Sequence, residues 1–259
     1  MGKKQYFAIA ISIMLVILLY FGVDTMPPKQ KEIEKSRSLQ IEVTGTQNII
    51  DQALKDIGND NASIIEALNL EVDKSEGDSA RINNIKVLAS AWYEMGHPAV
   101  SAIYAENIAK IENTEPAWSI AGTTYMIGAR SAADEKTKSF CSKRALQAFE
   151  MAISLDPEKI EPKINQALVF TDNPEKDNPM KGILMLRELA DRYPQNTSVL
   201  NQLGALALKT GQTEKALERL LSSYSIEPEN KNTLCLLAEA YQMAGDTDKA
   251  EIFRQKCSL

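Results

Sequence analysis

Apolar residues recur at helical spacing from Thr46 almost to the last residue, and no stretch alternates strictly in the way a half-buried strand does. The segments TQNIIDQALKDIG and NASIIEALNLEV predict a short helix pair over residues 45–80, broken around residues 58–61. Asn61 or Ser63 would serve as the N-cap of the second helix, since both side chains can accept a hydrogen bond from a free backbone N–H. The pattern predicts an all-α fold.

Two segments near the C-terminus share one skeleton at a fixed period. The matched residues, 34 positions apart in each case, are Leu203 with Leu237, Gly211 with Gly245 and Ala216 with Ala250. A lone helix pair cannot bury its apolar face, whereas stacked pairs share one continuous core. The period therefore predicts an array of helix–turn–helix units assembled by addition.

The same pattern extends towards the N-terminus and gives an array over residues 81–259. Its five units, numbered 1 to 5, are residues 82–114, 115–159, 160–196, 197–230 and 231–259. Unit 2 carries about eleven extra residues, SAADEKTKSFC, which we expect to lie between its two helices. Small residues at fixed positions would let the paired helices approach closely, and a proline after the second helix would end it.

Unit 2 also carries the clearest family pattern. Its residues Trp118, Gly122 and Tyr125 are followed by Ala145, Phe149, Ala152 and Pro157. This pattern resembles the tetratricopeptide repeat, a 34-residue helix–turn–helix unit. The resemblance implies a right-handed α-solenoid whose first helices line a concave groove, in which the family binds extended peptides or partner helices. The DNPMKGI turn of unit 3 is similar to that of uncharacterised cell-envelope tetratricopeptide proteins of Bacteroidetes-like bacteria.

The N-terminus has a different character. No charge occurs between Lys4 and Asp24. An apolar run of that length predicts a single transmembrane helix. Residues 1–24 would form a signal-anchor that crosses the membrane through residues 5–23. A cleaved signal peptide is the alternative, but an A-x-A-like cleavage pattern is missing. Lys3 and Lys4 place the N-terminus in the cytoplasm, so the array would lie in the periplasm of an inner-membrane, single-pass protein. Residues 25–44 read as a linker.

Charge and motifs narrow the function further. The net charge of −6 argues against nucleic-acid binding, which normally uses a basic face. The sequence holds none of the short catalytic, metal or phosphate-binding motifs, so we expect no enzyme and no cofactor. The single histidine, His97, follows a glycine between two helices and is interpreted as a surface turn residue.

Cys235 and Cys257 fall at about the same height on the two helices of unit 5. Packed helix axes lie about 8–10 Å apart, so inward-facing cysteines can reach disulfide distance. Reduced cysteines that serve as small core residues are the favoured interpretation, and a disulfide is the alternative.

By repeat position, thirteen residues are expected to face the groove, with a neutral surface and an apolar patch from Met126, Ile164 and Leu168. They are Lys86, Ser90, Tyr93, Ser119, Thr123, Met126, Ile164, Leu168, Asn201, Ala205, Leu208, Glu239 and Gln242. The leading hypothesis is a membrane-anchored scaffold that binds a protein or peptide in this groove. The alternative is a periplasmic assembly factor or chaperone that holds an unfolded client segment. Arg254, at a position that usually holds a bulky apolar residue, predicts a solvated C-terminal end and hence a monomeric soluble domain.

Overall fold

Helices account for nearly all of residues 45–258, the part of the chain that the computed structural model describes. In chain order they are α1 (residues 45–56), α2 (Gly58–Asp73), α3 (Asp78–Glu94), α4 (Pro98–Glu112), α5 (Glu115–Ser131), α6 (Glu135–Leu155), α7 (Glu161–Asp172), α8 (Lys181–Arg192), α9 (Thr197–Lys209), α10 (Thr213–Ile226), α11 (Lys231–Met243) and α12 (Thr247–Ser258). The all-α prediction is confirmed for these described residues. The predicted anchor (residues 1–24) and linker (residues 25–44) lie outside the described residues.

From α2 onward, consecutive helices pack against each other, so this part of the chain forms a row of helix pairs. The pairs α3–α4, α5–α6, α7–α8, α9–α10 and α11–α12 correspond to units 1 to 5, and α3 begins four residues ahead of the expected start of unit 1. None of the helices within residues 45–258 is both long and apolar enough to cross a bilayer.

The turn between the two helices is built identically in units 1, 4 and 5. A glycine with positive φ ends the first helix in each case: Gly96 at 84°, Gly211 at 70° and Gly245 at 80°. The residue after each glycine donates its backbone N–H to a carbonyl five residues earlier; these bonds run from His97 to Trp92, Gln212 to Ala207 and Asp246 to Tyr241. This is the Schellman ending, in which glycine avoids the steric cost of the left-handed conformation. The periodic glycines of the sequence are therefore turn residues.

Close approach within a pair depends on a second glycine position. A Cβ added to Gly204 would lie 2.7 Å from the side chain of Leu220 on the partner helix, and one on Gly122 would lie 2.6 Å from Phe149. Leu220 and Phe149 are both fully buried. The partner side chain in each unit thus occupies the space that a larger residue would need.

The insertion of unit 2 does not form the loop that we expected. Only residues 132–134 separate α5 from α6, and most of the extra residues lengthen α6 to 21 residues. The Asp134 carboxylate caps α6 by accepting from the backbone N–H groups of Lys136 and Thr137, at 3.0 and 2.9 Å. Hydrogen bonding to Thr137 holds the pKa of the Asp134 carboxyl below its usual value. A well-capped start lets the polar insertion continue as helix.

The expected N-cap of α2 is also wrong. The helix begins at Gly58, and Asn61 and Ser63 lie inside it, where their side chains donate to the carbonyls of Ile57 and Asn59 four residues earlier. Such back-bonding offers these side chains an alternative to capping. The positive φ of Gly58 places the break one turn earlier than the polar residues suggested.

One buried charge ties three helices together. Glu106 of α4, 6% exposed, accepts a hydrogen bond from the Tyr125 hydroxyl of α5 at 2.6 Å. It also lies 2.7 Å from the Arg144 guanidinium of α6 and 2.7 Å from the Lys110 ammonium of its own helix. Burial and the neighbouring Glu106 charge raise the pKa of Tyr125, which keeps this hydroxyl protonated and able to donate. The carboxylate is thus paired from its own helix α4 and from both α5 and α6.

Cys235 and Cys257 form a disulfide with their Cα atoms 5.0 Å apart, so the expectation of reduced cysteines is wrong. Both residues are half-buried, one on each helix of unit 5, at the matching height that the repeat register implied. The disulfide supplements a small contact, because Ala250 and Phe253 are the buried residues of α12. Phe253 stacks on Tyr241 with 5.5 Å between ring centroids and meets Tyr224 edge-on at 5.4 Å.

The third cysteine, Cys141, is a buried free thiol on α6. Burial raises the pKa of this thiol to about 12. Because the thiolate is the reactive form, the folded protein keeps Cys141 inert near neutral pH.

Candidate peptide-binding surface

An open depression of about 440 Å³ lies between α3 of unit 1 and α5 of unit 2, and α4 contributes its floor. Its floor is apolar, formed by Ala105 and Ile108 of α4 together with Ala89 of α3 and Ala117 of α5. Ile120 lies at its rim and is 61% exposed to solvent. An apolar recess with polar edges is the usual form of a site that takes up side chains of a bound segment.

The three groove residues predicted in unit 1 lie at this depression. Lys86, Ser90 and Tyr93 follow one another along α3 at helical spacing, and Tyr93 is 49% exposed. The Lys86 ammonium lies 3.6 Å from the Glu112 carboxylate across the floor. This exposed pair leaves both groups accessible to a ligand, since solvent-exposed ion pairs contribute little to stability.

The lining residues from unit 2 are not the predicted ones. Ala117, Ile120 and Thr124 line the depression. The predicted residues Ser119 and Thr123 each lie one position earlier in the sequence than Ile120 and Thr124. Ser119 is half-buried, and its hydroxyl donates a hydrogen bond to the Glu115 carboxylate of the same helix at 2.7 Å. Thr123 is exposed on the same helix, outside this lining.

The expected apolar patch does not exist. Met126, Ile164 and Leu168 pack in the cores of units 2 to 4, with Met126 6% and Ile164 4% exposed. Leu208 is equally buried at 4%, and Ala205 is half-buried. The prediction failed because these side chains pack into clusters with residues of neighbouring helices, which buries positions that the repeat pattern places on the groove.

Asn201 shows this closure most clearly. It is 2% exposed, and its amide lies 2.9 Å from the hydroxyl of Thr233 on the first helix of unit 5. The Thr233 hydroxyl lies 3.0 Å from Ser223 of α10, so three buried polar side chains satisfy one another. Asn201 therefore joins units 4 and 5 and offers no surface to a ligand.

The remaining predicted residues, Glu239 and Gln242, are exposed on α11. They line a shallow depression of about 370 Å³ beside the Cys235–Cys257 disulfide. Arg254 of α12 donates to the Gln242 side-chain oxygen at 3.2 Å and to Glu251 at 2.6 Å. Arg254 is thus an exposed residue of α12.

A further depression, of about 300 Å³, opens on the other side of α5, between α5 and α7. Its charged residues are Arg130, Lys138 and Asp172, and the hydroxyl-bearing Ser142 contributes a 4% exposed position. The Arg130 guanidinium contacts the Asp172 carboxylate at 2.6 Å. The repeat pattern missed this surface because Lys138 belongs to the insertion of unit 2, which has no equivalent in the other units.

His97 lies at the N-cap of α4, half-buried, with its ring edge-on to Trp92 at 5.8 Å between centroids. It lines a cavity of about 240 Å³ formed by α1 and by the turns of units 1 and 2. Within residues 45–258, no group of three or more His, Cys, Asp or Glu side chains is placed to hold a metal ion. The turn interpretation of His97 agrees with its place in the structure.

No protein-family model matches the chain. Among curated proteins, the CTR9 homolog of Arabidopsis thaliana is 26% identical over 113 residues, which are 42% of this chain and 10% of that protein. The chain thus spans about a tenth of the length of this relative.

Solved structures that match part of the chain include MamA, PilW and YrrB. A MamA structure is 18% identical, covers 68% of this chain and 89% of that one, and has a TM-score of 0.41. PilW, described as a type IV pilus biogenesis factor, is 20% identical over 68% of this chain and 76% of its own, with a TM-score of 0.46. YrrB, described as a tetratricopeptide-repeat protein with an unusual peptide-binding site, is 14% identical over 70% and 91%, with a TM-score of 0.38. The tetratricopeptide-like fold of the present chain rests on its own helix pairs and 34-residue period.

Proposed function

We propose that this chain is a membrane-anchored interaction protein that binds an extended segment of a partner protein between α3 and α5. One observation carries the proposal: neighbouring first helices leave an apolar recess here, with Tyr93 and Ile120 exposed at its edges. An exposed tyrosine and an exposed isoleucine that line one recess form the kind of surface on which binding energy concentrates, because a bound segment would desolvate them.

The proposed location is the periplasmic side of the inner membrane, with residues 5–23 as the membrane span and the N-terminus in the cytoplasm. The basic residues Lys3 and Lys4 support this orientation. The Cys235–Cys257 disulfide supports it independently, because such bonds persist in oxidising compartments and are rare in the cytosol. A periplasm-active reporter fused after the array should therefore be active, and activity of a cytoplasm-only reporter would contradict the orientation.

Site-specific photo-cross-linking tests the binding surface. A photoreactive phenylalanine analogue is placed at Tyr93 or at Ile120 in the full chain, expressed in its native membrane. The control position is Met151, which is 40% exposed on α6 and lines neither depression described above.

The expected result is one and the same partner cross-linked from Tyr93 and Ile120, and its absence from Met151. A replacement of Ile108, on the floor of the recess, by aspartate should abolish both cross-links. Cross-links that form equally from Met151, or none from either groove position, would contradict the proposal.

A further inference from the structure

The exposed face of α5 connects the two depressions that flank this helix. Thr123, Thr124, Ile127 and Arg130 lie three, four, seven and ten positions after Ile120, so these five residues form one stripe along the helix. Ile120 at the start is 61% exposed, and the Arg130 side chain at the end is 54% exposed. The stripe runs from the apolar recess beside α3 to the charged depression beside α7.

The two depressions differ in charge. The recess beside α3 carries one cation, Lys86, and two carboxylates, Glu94 and Glu112. The depression beside α7 carries two cations, Arg130 and Lys138, and one carboxylate, that of Asp172.

The Asp172 carboxylate pairs with Arg130, so it does not neutralise Lys138, the other cation of the depression beside α7. Its only ion pair among the described residues is with Glu135 at 3.8 Å, and the Glu135 side chain is 79% exposed. A pair that long and that exposed contributes little free energy and yields readily to a ligand carboxylate. The α7 side of the stripe therefore favours an anionic group.

We propose that the bound segment carries an apolar side chain for the α3 recess and an acidic side chain for Arg130 and Lys138. This inference rests on the proposed function and specifies the chemistry of its partner. The spacing follows from helix geometry: ten residues from Ile120 to Arg130 span about 15 Å at about 1.5 Å per residue. An extended chain at about 3.3 Å per residue covers that distance in about four to five residues.

The test is a selection of random twelve-residue peptides displayed on phage, with the full chain in detergent as the target. We expect the selected peptides to carry Asp or Glu four or five positions from an aromatic or branched apolar residue. A double variant, R130Q with K138Q, should lower the frequency of acidic residues at that spacing to the level of the unselected library.

The matched control is K143Q with K159Q, which removes two charges from exposed lysines outside both depressions. It should leave the selected pattern unchanged. The single variant K138Q should give an intermediate loss, and it leaves the Arg130–Asp172 pair intact, so a folding defect cannot produce this outcome.

The outcomes separate the two proposals. Peptides that depend on Ile120 but show no acidic preference would overturn this inference and leave the binding surface in place. An acidic preference that survives R130Q with K138Q would overturn it too. Failure of I120D to change the selection would overturn the proposed function itself.

Discussion

Neighbouring units meet in two different ways in this array. Between units 1 and 2, α3 and α5 leave a recess of about 440 Å³, and Lys86 points its charge across it to Glu112. Between units 4 and 5, Asn201 of α9 hydrogen-bonds Thr233 of α11, and both are buried. The recess lies between the first helices α3 and α5, and the hydrogen bond joins the first helices α9 and α11.

The difference comes from two side chains at equivalent repeat positions. Lys86 of unit 1 corresponds to Asn201 of unit 4, and Ala117 of unit 2 corresponds to Thr233 of unit 5. Ala117 offers Lys86 no hydrogen-bonding group on the neighbouring first helix, and the ammonium favours solvent, whereas an amide opposite a hydroxyl can be buried because both groups are satisfied. One repeat architecture thus gives a binding surface at one place and a structural joint at another.

The packing of the two helices inside a unit should be the same in the open and the closed region of the array. Substitutions of the glycines at this contact should have the largest effects on stability. Gly204→Leu should lower the free energy of unfolding by about 3 kcal/mol, because the added side chain must displace Leu220. Gly122→Leu should cost a similar amount through Phe149. Urea unfolding followed by circular dichroism measures both, with Ala205→Leu at the half-buried neighbouring position as the control. A large loss in only one of the two glycine variants would mean that the units are packed differently inside.

The disulfide should matter for the closed end of the array. Cys235→Ser combined with Cys257→Ser should lower the free energy of unfolding by about 2–4 kcal/mol, since the bond closes a loop across 22 positions. Reductant should destabilise the natural chain and leave the double variant unchanged. Alkylation of the denatured, unreduced protein should label Cys141 alone, and three labelled cysteines would refute the bond.

The hydroxyl at the joint should have an intermediate effect. Thr233→Val keeps the shape but leaves the Asn201 amide and the Ser223 hydroxyl short of a partner, at a cost of about 1–3 kcal/mol. The control is Thr124→Val in the open region, where the hydroxyl bonds only its own helix at Ile120, and we expect less than about 0.5 kcal/mol there. Equal effects of the two variants in chemical denaturation would remove the distinction between joint and recess.

The smallest effect belongs to the rim of the recess. Ile120→Ser should change the free energy of unfolding by less than about 0.5 kcal/mol, because this side chain is mostly in water already. The comparison is Leu237→Ser in unit 5, whose side chain is fully buried and whose loss should cost several times more. If thermal unfolding showed Ile120→Ser to be strongly destabilising, the recess would be filled in solution.

Sequence reasoning recovered the helix pairs because their determinants are local. Gly96, Gly211 and Gly245 signal the turns directly, and Gly122 and Gly204 mark the close approach. These positions recur at the repeat period, so one unit predicts the next.

The binding surface was only partly predictable, because it depends on contacts between units. Lys86, Ser90 and Tyr93 were placed correctly at a recess, whereas the identical register positions Asn201 and Leu208 are buried. Repeat position fixes the direction of a side chain on its helix, but the distance to the next helix depends on partner residues about thirty positions away. Lys138 was missed for a different reason, since an insertion has no counterpart from which to argue.

The buried carboxylate of Glu106 bears on how an array of similar parts avoids assembling wrongly. Repeat chains are prone to pairing one unit's helix with the equivalent helix of another, since apolar faces of similar spacing are interchangeable. Glu106 finds the Tyr125 hydroxyl and the Arg144 guanidinium only when α4 meets α5 and α6 in this one alignment. A shift of α4 by one turn, about 5.4 Å, would leave the Glu106 charge without its partners in an apolar interface. The cluster thus favours the correct pairing of these helices over pairings with the equivalent helices of other units while the chain folds.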